Sequence, residues 1–168
     1  IGRATALAFA RAGYRVGACY HHSHEEAVSL IAALREMGAQ ALAVCGDVAD
    51  LEAVRRMTCE AQEALGPISV LVNNAGIACD ALFCDTSPEA WRRVLEVNVT
   101  GAYNACRCVL PGMLERKRGA IINISSVWGL YGGSCEAAYS ASKSALIGLT
   151  KALAREAGPS GVRVNCVA

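Results

Sequence analysis

An α/β fold, a doubly wound parallel sheet with helices on both faces, is predicted by the alternation of two kinds of segment along the chain. Short runs rich in β-branched residues occur at Arg15–Tyr20, Ala41–Cys45, Val70–Asn73, Ala120–Ser125 and Val162–Val167. They are mostly apolar throughout, as suits strands buried on both faces. Longer segments with helical spacing lie between them, and four are followed by a glycine where a helix wants a left-handed cap. Crossovers between parallel strands are almost always right-handed, so the alternation gives a three-layer α/β/α arrangement.

In chain order the helical segments are Arg3–Ala12, Glu25–Met37, Leu51–Leu65, Pro88–Lys117 and Ala137–Ala157. The glycines are Gly13, Gly38, Gly66 and Gly158. No internal repeat, low-complexity tract or linker interrupts the pattern, and residues 1–168 read as one domain. The chain opens at Ile1-Gly2-Arg3 already entering a helix and stops at Ala168 as a strand ends, so it is expected to be incomplete at both termini.

Composition bounds the function. Apolar residues make up 54% of the chain and charged ones 18%, enough for a sizeable core. A net charge of +1 without a long basic or acidic run gives no reason to expect nucleic acid or a membrane surface as partner. No stretch approaches the roughly 20 uncharged residues of a membrane span, and no secretory pattern opens the chain, so a cytoplasmic protein is expected. None of the nine cysteines forms a C-x-x-C pair, and Cys19, Cys45 and Cys166 in apolar runs are expected to be buried thiols. Cys106 and Cys108 point to different faces of a helix, and His21, His22 and His24 read as a solvated loop, so no metal site is expected.

Chemistry enters with Tyr139 and Lys143. Four residues apart on a helix, they lie on one face and address one site. A free tyrosine, with a pKa of about 10, exchanges its proton slowly at neutral pH, and a neighbouring ammonium favours the phenolate. The pair suits general acid/base work, although a solvated helix face would show the same spacing. Ser125-Ser126 stands at the end of an apolar run, Ser126 thirteen residues before the tyrosine.

In a doubly wound sheet, ligands bind beyond the carboxyl ends of the strands. Asn73-Asn74-Ala75-Gly76 follows one strand, where small residues and amides let a flat ring approach the backbone. Asp47-Val48 follows another; its carboxylate is either an acceptor for the exocyclic amine of adenine or a helix N-cap. No acid follows Tyr20. An NAD site usually places one there for the ribose 2′-hydroxyl, whereas Tyr20, His21, His22 and Ser23 suit a 2′-phosphate and hence NADPH. Ile1 and Gly2 fit the end of a phosphate-binding turn at a helix N-terminus.

Taken together, Asn73-Asn-Ala-Gly76, Asn98 in Glu96-Val-Asn98, Ser126 and Tyr139-x-x-x-Lys143 resemble the classical short-chain dehydrogenases/reductases in order and spacing, over essentially the whole chain. The resemblance implies a Rossmann fold, a nicotinamide cofactor and a catalytic set of Asn98, Ser126, Tyr139 and Lys143. In that scheme Ser126 hydrogen-bonds a substrate carbonyl, Tyr139 protonates its oxygen, Lys143 holds the nicotinamide ribose and lowers the tyrosine pKa, and Asn98 anchors a water. Also implied are a first strand between Arg15–Tyr20 and Val70–Asn73, a lid after Ala168, and a homotetramer packed through the helices Val94–Lys117 and Ala138–Ala157. Val109, Leu110, Leu146 and Leu149 of those helices serve either that interface or the core. Without the strand and the lid, the 168-residue chain alone is not expected to hold NADPH at micromolar concentration.

Within the family, Ile1-Gly2-Arg3, Gly119-Ala-Ile-Ile-Asn-Ile-Ser-Ser126 and Gly161-Val-Arg-Val-Asn165 are similar to bacterial 3-oxoacyl-acyl-carrier-protein reductases. Trp128-Gly129 and Ser134-Cys-Glu136 depart from them and look more like reductases of 5-aminopentanone-modified elongation factor P. Glu136, three residues before Tyr139, either pairs with a substrate ammonium at the mouth of the site or favours the helix dipole. Trp128 is expected to line the substrate cleft, and Trp91 either lines it or packs. The reading is an NADPH-dependent reductase of a small or carrier-bound ketone; its rivals are an alcohol or sugar dehydrogenase and a non-catalytic dinucleotide-binding protein.

Overall fold

Strands β1 (Val16–Tyr20) and β2 (Ala41–Cys45) pair in parallel, and β3 (Val70–Asn73), β4 (Gly119–Ile124) and β5 (Val162–Val167) form a second parallel sheet with β4 at its centre, in a computed structural model that describes residues 1–168. β1 and β3 share no ladder, and the sheet is divided at the position where the resemblance implies a further strand. The strands match the sequence expectation to within one residue at each end.

The helices are α1 (Gly2–Arg11), α2 (His24–Glu36), α3 (Leu51–Leu65), α4 (Pro88–Leu95), α5 (Gly101–Glu115), α6 (Trp128–Tyr131) and α7 (Ala137–Ala157). Two begin with a side-chain cap. Asp50 accepts from the Glu52 amide at 2.9 Å to open α3, and Ser87 from the Ala90 amide at 3.1 Å to open α4, where Pro88 needs no amide partner. The period of two along each strand then sorts the layers. Val16, Ala18, Ala41 and Ala43 pack against α1 and α2, while Gly17 meets Ala61 and Leu65 of α3, and Val44 meets Val54 and Met57 of the same helix. Ile121, Val162 and Val164 form a third core with Cys106, Val109, Met113 and Ala157 of α5 and α7.

Several expectations are corrected. The segment Pro88–Lys117 is not one regular helix, because a π-helical turn at Glu96–Thr100 separates α4 from α5. Gly158 is right-handed at φ −54° and opens a 3₁₀ turn; the left-handed glycine is Gly161, φ 77°, which closes that turn. His24 belongs to α2 rather than to a loop. Cys19 and Cys45 are exposed and Cys166 half-buried; Cys106 alone among the nine thiols is buried. Val109 and Leu146 lie in the interior and Leu110 packs on the α5/α7 core, so these residues hold the fold together.

Candidate active site

The residues gathered at the carboxyl ends of β3 and β4 owe their places to a network of buried polar side chains. The π turn carries Asn98, 1% exposed, and a residue inserted into a helix re-aims the side chains after it. Asn98 Oδ1 accepts from the Ile77 amide at 2.8 Å, and its Nδ2 donates to the Ile77 carbonyl and to Ser142 Oγ, both at 2.9 Å. Ser142 Oγ donates in turn to the Tyr139 carbonyl at 2.7 Å. One side chain thus ties the loop after β3 to the first turns of α7. A second chain runs deeper: Asn73 Nδ2 donates to Asn123 Oδ1, and Asn123 Nδ2 to Thr150 Oγ1, each at 2.8 Å, locking β3 to β4 and β4 to α7.

A cavity of about 400 Å³ opens above this network, lined by Asn74, Gly76, Ser126, Trp128, Tyr139 and Lys143 among others. Lys143 is 3% exposed and donates from Nζ to the Ile124 carbonyl at 2.7 Å, with its ammonium 5.4 Å from the centre of the Tyr139 ring. An ammonium has three donors and the protein uses one, so the others are free for hydroxyls brought into the cavity. Burial pushes the Lys143 pKa down, with Cys166 opposing the shift. The two serines divide their labour. Ser125 is buried and donates to the Lys143 carbonyl at 2.8 Å, whereas Ser126 Oγ accepts only from the Trp128 amide, at 3.2 Å, and keeps its hydroxyl proton.

Two glycines keep the floor low. A Cβ on Gly76 would lie 3.3 Å from both Asn98 Oδ1 and Lys143 Nζ, and one on Gly2 would lie 2.8 Å from Asn74 Nδ2. The Asn74-Ala75-Gly76 loop therefore offers bare backbone beside a buried cation, a cradle that fits a flat ring and its ribose. Ile1 borders the same cavity.

At the rim, Glu136 lines the cavity, and its Oε2 is shut from solvent without a hydrogen-bond partner. Burial, with the Asp80 charge nearby, holds the Glu136 carboxyl above its ordinary range. Gly133 brings the wall together, since a Cβ there would touch both the Trp128 ring and Glu136. Trp91 is half-buried outside the cavity.

The remaining expected residues form a second group at the ends of β1 and β2. Tyr20 Oη and His24 Nδ1 are hydrogen-bonded at 2.9 Å, the His21 and His22 rings lie 3.7 Å apart, and residues 21–23 are exposed. Asp47 is not the cap of α3; that is Asp50. Asp47 Oδ1 accepts from the Ala49 amide at 2.9 Å and Oδ2 from Arg93 at 2.8 Å, and Val48 packs on Gly101 at the start of α5. Ser142, Arg93, Asn104 and Asp80 were not expected from the sequence, since a lone Ser, Arg, Asn or Asp carries no spacing signal, and Ser125 was marked only by its place beside Ser126. A separate groove of about 270 Å³ between α3 and α5, lined by Arg55, Cys59, Arg107 and Cys108, contains none of the expected residues.

Comparison with known proteins agrees with this geometry. The chain is 40% identical over 168 residues to the 3-oxoacyl-[acyl-carrier-protein] reductase FabG of Staphylococcus aureus, spanning 68% of that protein. It is 44% identical over 158 residues, 94% of this chain and 69% of the relative, to an inactive 2-(S)-hydroxypropyl-CoM dehydrogenase 2 of Xanthobacter autotrophicus. The fold superposes on an NAD+-bound xylitol dehydrogenase with a TM-score of 0.94 at 34% identity, covering 98% of this chain and 64% of that one. The profile of the family described as short chain dehydrogenase matches residues 1–168. With the parallel sheets and the cavity at their carboxyl ends, these matches show that the chain belongs to the short chain dehydrogenase family, oxidoreductases that work with nicotinamide dinucleotides.

Proposed function

We propose that the protein reduces a ketone with NADPH, as a relative of the 3-oxoacyl-acyl-carrier-protein reductases. The observation that carries the reading is the opening of Ser126, Tyr139 and Lys143 onto one cavity while Ser125, Ser142 and Asn98 are committed to holding its walls. Ser126 donates its free hydroxyl proton to the substrate oxygen and fixes the carbonyl against Tyr139. Tyr139 delivers a proton to that oxygen as negative charge develops on it, the work of a general acid. Lys143 orients the ribose with its two spare donors and sets its positive charge beside the phenol. Asn98 positions Ile77 and, through Ser142, the backbone of Tyr139. The bound nicotinamide supplies the hydride.

Ile1 and Gly2 at the start of α1 would hold the diphosphate, Asn74-Ala75-Gly76 and Lys143 the nicotinamide ring and its ribose, and Asp47 and Val48 the adenine. Residues Tyr20–Ser23 offer an exposed end without a carboxylate, which favours the extra phosphate of NADPH. Residues 1–168 act as one domain of a cytoplasmic homotetramer. Ala141, Ala145, Gly148 and Ala152 form an exposed stripe of small residues on α7 that lets a second helix approach closely. The substrate is a carrier-bound or small ketone.

A second reading is favoured by one feature, the Glu136 oxygen that lines the cavity with no partner. A carboxylate there, beside Asp80 and the Trp128 ring, suits an amino-ketone whose ammonium fills the gap, as in 5-aminopentanone-modified elongation factor P. Initial rates with an acetoacetyl thioester and an amino-ketone, each with NADPH and NADH, test both. Faster turnover of the thioester with NADPH supports the first reading. Preference for the amino-ketone, lost in Glu136→Gln, supports the second, and no reduction of either ketone overturns both.

A further inference from the structure

Arg93 and Asn104 lie on α4 and α5, either side of the π turn that carries Asn98. All three reach loops at strand ends. Asn98 holds Ile77 after β3, while Arg93 Nη2 donates to Asp47 Oδ2 at 2.8 Å and Asn104 Nδ2 donates to the carbonyls of Val48 and Ala49 at 3.0 and 3.2 Å, after β2. Asn104 is 3% exposed, so its amide has no water to turn to and its grip on the loop is obligatory. Asp47, by contrast, is bonded through both oxygens yet keeps one lone pair on each for a further donor.

The geometry points to Arg93 as a positioning residue for the cofactor: it clamps the Asp47 carboxylate, above a loop that Asn104 fixes from behind, so that Asp47 meets the exocyclic amine of adenine in a set orientation. The inference rests on the reading of Asp47 as the adenine contact. Burial works against the charge on Asp47, but the Ala49 amide, the Arg93 guanidinium and the nearby His21 outweigh it and hold the carboxyl below its ordinary pKa. Ionised, both carboxylate oxygens act only as acceptors, the form that accepts most strongly from an amine. Arg93 does not line the cavity that holds Tyr139, and its side-chain hydrogen bond goes to Asp47, so its effect belongs to the adenine end.

Fluorescence titration of the full-length protein tests this without turnover. Arg93→Met should weaken NADPH about tenfold and leave reduced nicotinamide mononucleotide, which lacks adenine, unchanged. Arg93→Lys should recover most of the loss, and Arg93→Met should add nothing in an Asp47→Asn background. The Asp47 carboxyl, followed by carbon NMR in the cofactor-free protein, should titrate at higher pH in Arg93→Met. Equal weakening of both nucleotides, or additivity with Asp47→Asn, would overturn the positioning role. So would weakening by Asp47→Asn with none by Arg93→Met. If Asp47→Asn leaves NADPH binding unchanged while Arg93→Met weakens it, the adenine contact itself fails and Arg93 is a direct ligand.

Discussion

At the ends of β3 and β4, Asn98, Asn123, Ser142 and Lys143 are 3% exposed or less and all are hydrogen-bonded, whereas at the end of β1 His21, His22 and Ser23 stand in solvent. A buried polar group must find its partner, so each side chain in the first region has one permitted position. An exposed one has many. The proposed reacting end of the site is therefore rigid, and the end proposed to select between cofactors is soft. On the proposed reading, a change of cofactor would ask little of this scaffold and a change of chemistry much.

The largest expected effect falls on the rigid side. Tyr139→Phe removes the proton donor and keeps the ring, and should lower kcat about 10²–10⁴-fold with NADPH affinity unchanged. Steady-state rates beside a binding titration check it, and activity within tenfold of the parent would remove Tyr139 from the mechanism. Next comes Asn98→Ala, which leaves the Ile77 amide and carbonyl and the Ser142 hydroxyl short of partners. It should cost about 2–3 kcal/mol in urea unfolding, while His22→Ala on the soft side should stay within about 0.5 kcal/mol. Similar losses in the two would erase the contrast.

On the soft side, His21→Arg adds a permanent cation where the 2′-phosphate is expected, and should tighten NADPH about three- to tenfold at low salt without changing NADH. Equal tightening of both cofactors would place the phosphate elsewhere. The smallest effect concerns pH. The Glu136 carboxyl is raised in the folded protein, so folding takes up a proton there between the ordinary glutamate pKa of about 4.3 and the folded value. Its contribution to stability is consequently lost as pH rises through that window. Glu136→Gln should raise Tm at pH 7 relative to the parent and give no such gain at pH 4, and a gain that is equal at both would deny the shift.

Much of the fold was legible because apolar runs and helix spacing are written in local pattern, although β1 and β5 each leave one face exposed. Tyr139, Lys143, Ser126 and Asn74-Ala75-Gly76 were legible for a related reason: their spacing along one helix or one strand end carries the geometry. The π turn was not, since one extra residue shifts the hydrophobic pattern by about 100°, which an apolar face of about that width absorbs. Nor were Arg93 and Asn104, whose partners at Asp47 and Val48 lie 46 and 56 residues away in the chain. Gly158 misled because a glycine after a helix reads as a cap, yet three residues later Gly161 takes the left-handed conformation. The thiols misled in a similar way. Cys19 and Cys45 occupy strands, but being in an apolar run does not guarantee being covered.

The π turn at Glu96–Thr100 has a consequence for how sequences of this kind are compared and edited. It is in effect a helix with one residue in surplus, and each residue advances a helix by about 100°. Deleting a single residue there would restore a regular helix, leave the core composition intact and swing Asn98 away from Ile77. An alignment would record the change as a trivial gap, although it would break the ties from Asn98 to Ile77 and Ser142.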